Sequence, residues 1–316
     1  MILALLGIVA VSLVASSTVA ASGRKAASRH LTTVLLATLP VEDTVPAVIA
    51  EREGFFRQEG LDVKLKLVQI GPATTSSIVT GAAQFSQSNY VTLIEARSRG
   101  IPVEIVAEAT RGTPQFSSVV VLPNSPIRAP KDLVGKRVAV PGIGTIGQLV
   151  IEVWMKAHGL NYNAIKWVQM PFQNMGAALQ EHQVDAAWVG EPFVTILKKT
   201  LHVRLILPGF IGPTAGLPLA AFATSESYAK AHPGIVNGFK KAIEQAEALA
   251  AKDPSLVRAA LPTYTAITPK LAQEIGLEEY PTTTSVAAIE RVATFMREVG
   301  LLKAPVDVAS MVWSGK

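Results

Sequence analysis

The chain has 316 residues, 49 % hydrophobic and 17 % charged, which excludes a disordered chain and leaves room for two domains, each with its own apolar core. Its formal charge of +5 is scattered, with no basic run and no interleaved aromatics, so nucleic acid is excluded as a partner. It contains no cysteine, which excludes a disulfide framework and a lipid-bearing cysteine behind a leader.

Met1 to Ala21 carries no charged side chain and ends in the small residues Thr18-Val19-Ala20-Ala21-Ser22. The pattern reads as a signal peptide over residues 1–21, cut near Ala20 or Ala21. A membrane anchor is the other reading, because roughly 20 apolar residues span a bilayer, and Arg24, Lys25 and Arg29 follow the run instead of preceding it. The expected location is periplasmic or extracellular.

The next segments alternate in type. Thr32–Thr38 reads as a strand, Val45–Arg52 as a helix, and Leu61–Val68 as a strand with Leu61, Val63, Leu65 and Leu67 on one face. Gly71–Gly81 and Val91–Arg99 read as helices flanking a short strand at Gln84–Gln87, and Val103–Glu108 is a further strand. This alternation predicts a parallel sheet with helices on both faces. A second unit follows, with strands at Phe116–Leu122, Arg137–Val140, Ile165–Val168, Val184–Trp188 and Val203–Leu207. A helix runs from Thr145 to a stop at Gly159, and others lie near Asn174–Glu181 and Pro192–Lys199. After the Gly- and Pro-rich stretch Gly209–Pro218 come one more strand, Leu219–Ala223, and a helical tail. The expected class is therefore α/β, two doubly wound domains around a hinged cleft. Residues 31–112 plus 219–316 form the first domain and 116–212 the second, with crossings at 111–117 and 213–221. Hinge closure would bury a ligand between them, and one chain completes the clamp, so a monomer is expected.

Gly142-Ile143-Gly144-Thr145-Ile146-Gly147 follows a strand and opens a helix, the context of a dinucleotide site. The next strand ends in Pro171-Phe172-Gln173 without the acid that would take ribose hydroxyls, and Gln148 stands where a phosphate-loop lysine would be. Two roles stay open for the turn: a site for an anion or polar oxygen at the helix start, or a tight turn capped by Thr145. Gly71-Pro72-Ala73-Thr74-Thr75-Ser76-Ser77 repeats the arrangement in the first domain. His30, His158, His182, His202 and His232 are dispersed, no metal spacing or G-x-S-x-G turn occurs, and the pair Glu278-Glu279 reads as a solvated face of the helical tail. No catalytic residue, metal or cofactor is expected.

Three blocks carry a family resemblance. Ala47-Val48-Ile49-Ala50-Glu51-Arg52-Glu53-Gly54-Phe55-Phe56-Arg57-Gln58-Glu59-Gly60-Leu61-Asp62-Val63 resembles the signature of periplasmic substrate-binding proteins of the nitrate, sulfonate, taurine and thiamine-precursor group. Ser125-Pro126-Ile127 with Asp132–Pro141, and Gln183–Trp188 with Glu191-Pro192-Phe193, are similar to later blocks of that family. The resemblance implies a type II periplasmic-binding-protein fold, no enzymatic activity, a small-molecule ligand of sulfonate, taurine or nitrate type, and delivery to an ABC permease. A flat heterocycle or thiamine precursor, or a sensor role, is the alternative cargo or use. An enzyme of pyrimidine synthesis on the same fold would need a histidine in the cleft, and none of the five falls at a strand end or helix start facing it. Carried over by position, the implied ligand contacts are Leu39, Pro40, Val41, Gly71, Thr74, Thr75, Ser88, Asn89, Thr110 and Arg111 from the first domain. Gly142, Gly144, Thr145, Met170, Trp188 and Glu191 come from the second. Several have a second reading: Trp188 as core, Glu191 as partner of its own helix, Arg111 as half of a hinge salt bridge, and Ser88-Asn89 as a helix cap.

Overall fold

Two five-stranded sheets carry the apolar runs in the computed structural model, which describes residues 30–315. The leader expected over residues 1–21 lies outside the described residues. Among those described, no helix is long and apolar enough to cross a membrane.

The chain opens with β1 (Thr32–Thr38), α1 (Val45–Arg52), α2 (Phe55–Gln58), β2 (Leu61–Leu67), α3 (Pro72–Val79), β3 (Phe85–Asn89), α4 (Tyr90–Ser98) and β4 (Val103–Arg111). It crosses to β5 (Ser117–Val121), β6 (Arg137–Val140), α5 (Ile146–Ala157), β7 (Lys166–Gln169), α6 (Phe172–Gln180), β8 (Ala186–Gly190), α7 (Phe193–Leu201) and β9 (Arg204–Pro208). It then returns through β10 (Pro218–Ser225) to α8 (Glu226–Ala231), α9 (Pro233–Lys252), α10 (Pro254–Ala260), α11 (Pro269–Ala272) and α12 (Val286–Glu298).

The sequence blocks have local causes. Gly54 and Gly60 take φ of 73° and 77°, left-handed backbone that suits glycine. They turn the chain sharply between α1, α2 and β2. Asp132 Oδ2 accepts the N–H groups of Arg128 and Ala129 at 2.8 and 3.0 Å. Asp185 takes the backbone N–H of Arg137 at 2.8 Å and its guanidinium at 2.9 Å, so it seats β6 beside β8.

The sheet orders are β2-β1-β3-β10-β4 and β7-β6-β8-β5-β9, the same arrangement built twice. In each, four strands run in one direction, and the strand that enters from the other sheet runs antiparallel to both of its neighbours. The alternating strands β1 to β4 run parallel as the pattern predicts, and the one reversed strand in each sheet is what that pattern does not register. A parallel strand needs a helical crossover on the sheet's own face, whereas β5 and β10 arrive directly from the neighbouring lobe and enter at the end where the others stop. The alternation of β2 is weaker than the pattern predicts: Leu61 and Val63 are buried, but Leu67 is 47 % exposed, because β2 is an edge strand.

The crossings, residues 112–116 and 209–217, run side by side, with the Gly112 N–H bonded to the Leu217 carbonyl at 3.2 Å. The C-terminal chain joins them, since Arg111 and Glu279 exchange two backbone hydrogen bonds of 2.9 and 3.0 Å.

Candidate functional site

The parallel strands of both sheets end at one cleft, and their ends form a single pocket of about 500 Å³, its open mouth included. One wall comes from Leu39 and Val41 after β1, Asp43, Gly71 and Thr74 at α3, and Gln87, Ser88 and Asn89 at the end of β3. The facing wall holds Phe116, Pro141, Thr145, Ile146, Phe172 and Trp188. Open α/β sheets bind ligands in the crevice at such strand ends. Two other concavities lack this placement. One, around Lys136, His182 and Asp185, lies where strands β6 and β8 begin, and the other, around Pro114, Lys198 and Arg258, lies behind the crossings.

Of the sixteen positions implied by the sequence, eight form this pocket: Leu39, Val41, Gly71, Thr74, Ser88, Asn89, Thr145 and Trp188. Ser88 is anchored from α3 by Thr74 and Thr75, with hydroxyl separations of 2.8 and 3.0 Å. Asn89 is both wall and cap, for its Oδ1 accepts the Thr92 N–H at 3.0 Å. Pro40, Thr75, Thr110, Arg111, Gly142, Gly144, Met170 and Glu191 are outside the wall.

Seven of these eight have a visible engagement or place. Arg111 Nε donates to Glu108 Oε1 at 2.6 Å. Thr110 Oγ1 donates to Asp43 Oδ1 at 2.9 Å, one layer behind the pocket. Glu191 accepts the N–H and hydroxyl of Thr195 at 3.0 and 2.7 Å and the N–H of Gly276 at 3.2 Å, so it clasps its own helix and the C-terminal chain. The Met170 N–H extends the β6 ladder at the Val140 carbonyl. Gly142 is where the lobes meet: a Cβ there would lie 2.9 Å from Pro72 Cδ.

The Gly-rich turn departs from one of its two sequence readings. Thr145 does not cap α5; its Oγ1 donates to the Gly142 carbonyl at 2.6 Å. The N–H groups of Ile143 and Gly144 are taken by Gln169 and Gln148 at 3.2 and 2.8 Å. Gly147 serves packing, since a Cβ there would stand 2.5 Å from Trp188 Cε3. Gly147→Ala should therefore push the indole out of place and lower stability by about 1–3 kcal/mol for overpacking, against a helix-propensity gain of up to about 1 kcal/mol. A lower urea midpoint with unchanged slope is the expected readout.

Sequence reasoning missed the acid beneath the pocket. Asp43 is 7 % exposed, and its Oδ2 accepts Gln87 Nε2 at 3.2 Å. Behind it, Glu42 Oε1 accepts the Glu278 N–H at 2.9 Å and the Tyr280 hydroxyl at 2.8 Å. The expectation that Glu278 faces solvent is corrected, for it is buried and lies in no helix. Its burial depends on a chain segment far away in sequence, which periodicity cannot register. Burial pushes the Glu42 carboxyl up to about 8 and holds Glu278 well above its ordinary range, with the carboxyls of Asp43 and Glu42 adding to the rise. Burial also raises Asp43, and the hydrogen bond from Thr110 pulls it back. Burial thus favours the protonated form of Glu42 and Glu278, while Asp43 is the member of the trio that lines the pocket. The available signal was an acid pair, Glu42-Asp43, directly after a strand in an otherwise apolar stretch.

The family described as NMT1/THI5 like matches residues 42–256. The taurine-binding periplasmic protein of Escherichia coli (strain K12) is 26 % identical over 203 residues, 64 % of this chain and 62 % of that protein, so the chain spans less than two thirds of that relative's length. A 4-amino-5-hydroxymethyl-2-methylpyrimidine phosphate synthase of Saccharomyces cerevisiae is 24 % identical over 264 residues, 78 % of this chain and 74 % of the enzyme. The alkanesulfonate-binding protein SsuA from Xanthomonas axonopodis pv. citri, solved bound to MOPS, superposes with a TM-score of 0.74 at 20 % identity, over 89 % of this chain and 98 % of that one. The fold is that of periplasmic binding proteins.

Proposed function

Because the chain belongs to the NMT1/THI5-like family, we propose that it is the exported solute-binding component of an ABC importer. It captures a small organic ligand, of the sulfonate or taurine class, between its lobes and presents it to a membrane permease. The observation that carries this reading is the pocket itself: its walls come from both sheets, and among the described residues the chain passes between those sheets at two short crossings. Rotation about those crossings opens and closes the pocket without disturbing either sheet. Residues 31–112 with 219–316 make one lobe and 116–212 the other, and residues 1–21 direct export. A carrier is favoured over an enzyme by the histidines, all five of which are exposed and none of which lines the pocket.

A thermal-shift series tests the proposal. Purified protein would be melted with taurine, alkanesulfonates, nitrate, aromatic acids and thiamine precursors. A ligand that binds only the folded state adds about 2.7 kcal/mol at a hundredfold excess over Kd, which raises Tm by several degrees in a protein of this size. A rise with one chemical class names the cargo. No rise with any compound in the series would count against the importer reading.

A further inference from the structure

We infer that Asp43 selects the ligand: the molecule this cleft takes presents an N–H donor, a protonated amine above all, to the Asp43 carboxylate. The inference rests on the reading of the cleft as a solute site and names the chemistry of that solute.

The pocket holds an acid without a counter-charge. Among the described residues that form its wall there is no lysine or arginine. The nearby guanidinium of Arg111 is committed to Glu108. The carboxylate of Asp43 is fixed in place from behind, by Thr110 on Oδ1 and Gln87 on Oδ2, and each oxygen keeps a further lone pair for an incoming donor. Burying a negative charge without a partner is costly. A bound ammonium or ring N–H would remove that cost, whereas a ligand that is only an anion would add to it.

A second, independent feature points to the same kind of molecule. Trp188 is 3 % exposed, and its Nε1 has no hydrogen-bond partner. Trp188 lines the pocket with Asp43, and its benzenoid edge is held against Gly147. An orphaned buried N–H calls for an acceptor. The ligand that satisfies both groups carries a donor for Asp43 and an oxygen or ring nitrogen for Trp188.

Matched pairs that differ only by an amino group test the inference in the unmodified protein. Calorimetric titration would compare taurine with ethanesulfonate and 4-aminopyrimidine with pyrimidine. In at least one pair the amino compound should bind at least about tenfold tighter, the scale of a hydrogen bond to a charged group. Asp43→Asn, which keeps the shape and the contact with Thr110, should erase that difference. Equal or tighter binding of the desamino partner in the pairs that bind overturns the role of Asp43 and leaves the importer reading standing. So does a tenfold preference that survives Asp43→Asn. Binding of nitrate or plain sulfonates alone also overturns it. Failure of every compound, including those of the thermal-shift series, sinks the solute-site reading and this inference together. The wild-type comparison decides the matter even if the variant does not fold.

Discussion

Phe239→Ala should lower the unfolding free energy by about 3–5 kcal/mol, the cost of deleting a fully buried aromatic ring. The residue belongs to the apolar stripe that the sequence shows along residues 235–249, and in the structure that stripe lies on the first sheet. Its ring stacks on Phe85 of β3 with centroids 3.9 Å apart and planes 7° apart. Phe56 of α2 lies at 5.3 Å and Phe222 of β10 at 5.8 Å. All four side chains are fully buried. The ring thus joins the first strands of the lobe to the strand and helix that return after the second lobe. Urea unfolding would show the midpoint falling with little change in slope. A loss under about 1 kcal/mol would mean that the aromatic cluster relaxes around the gap, contrary to the close packing described.

Stability should also fall as pH rises from about 5 to about 8, and Glu42→Gln should remove a large share of that fall. Glu42 is completely buried, and burial pushes its carboxyl from 4.5 to about 8. A group raised in the folded state holds its proton more tightly there than in the unfolded chain. The stability it confers is complete below its unfolded value and disappears as pH climbs through the folded one. At about 1.4 kcal/mol for each unit, the effect is on the order of several kcal/mol. Glutamine can keep the Oε1 bonds from Glu278 and Tyr280, and its amide replaces Oε2, which has no partner. Glu278, Glu247 and Glu152 are also raised by burial, Glu152 to about 7, so part of the decline should remain. The carboxylates that are lowered, such as Asp185 beside Arg137, act at more acidic pH. Urea midpoints measured across this range for both proteins test the point. Parallel curves for wild type and variant would show that Glu42 carries no excess proton in the folded state.

Much of the architecture is legible without coordinates, because apolar periodicity reports local burial directly. The strands and helices, their division into two α/β units and the place of the Gly-rich turn all follow from local pattern. The same holds for Gly54 and Gly60, because glycine takes the left-handed backbone of a sharp turn without a Cβ penalty. Half of the positions implied by family resemblance line the pocket, since strand ends and helix starts are readable as local boundaries. Tertiary structure decided the rest. The direction of β5 and β10 depends on the lobe from which the chain arrives, and a strand's own residues look the same whichever way it runs. The fates of Arg111 and Glu191 depend on Glu108, Thr195 and Gly276, which occupy hydrogen-bonding capacity that a ligand would otherwise use. Gly147 is read correctly only once Trp188 is seen against it. The acid trio is the extreme case, for Glu42 and Glu278 are 236 residues apart. An acidic side chain reads as solvated until distant segments close over it, and then desolvation changes its charge and what the cleft can hold.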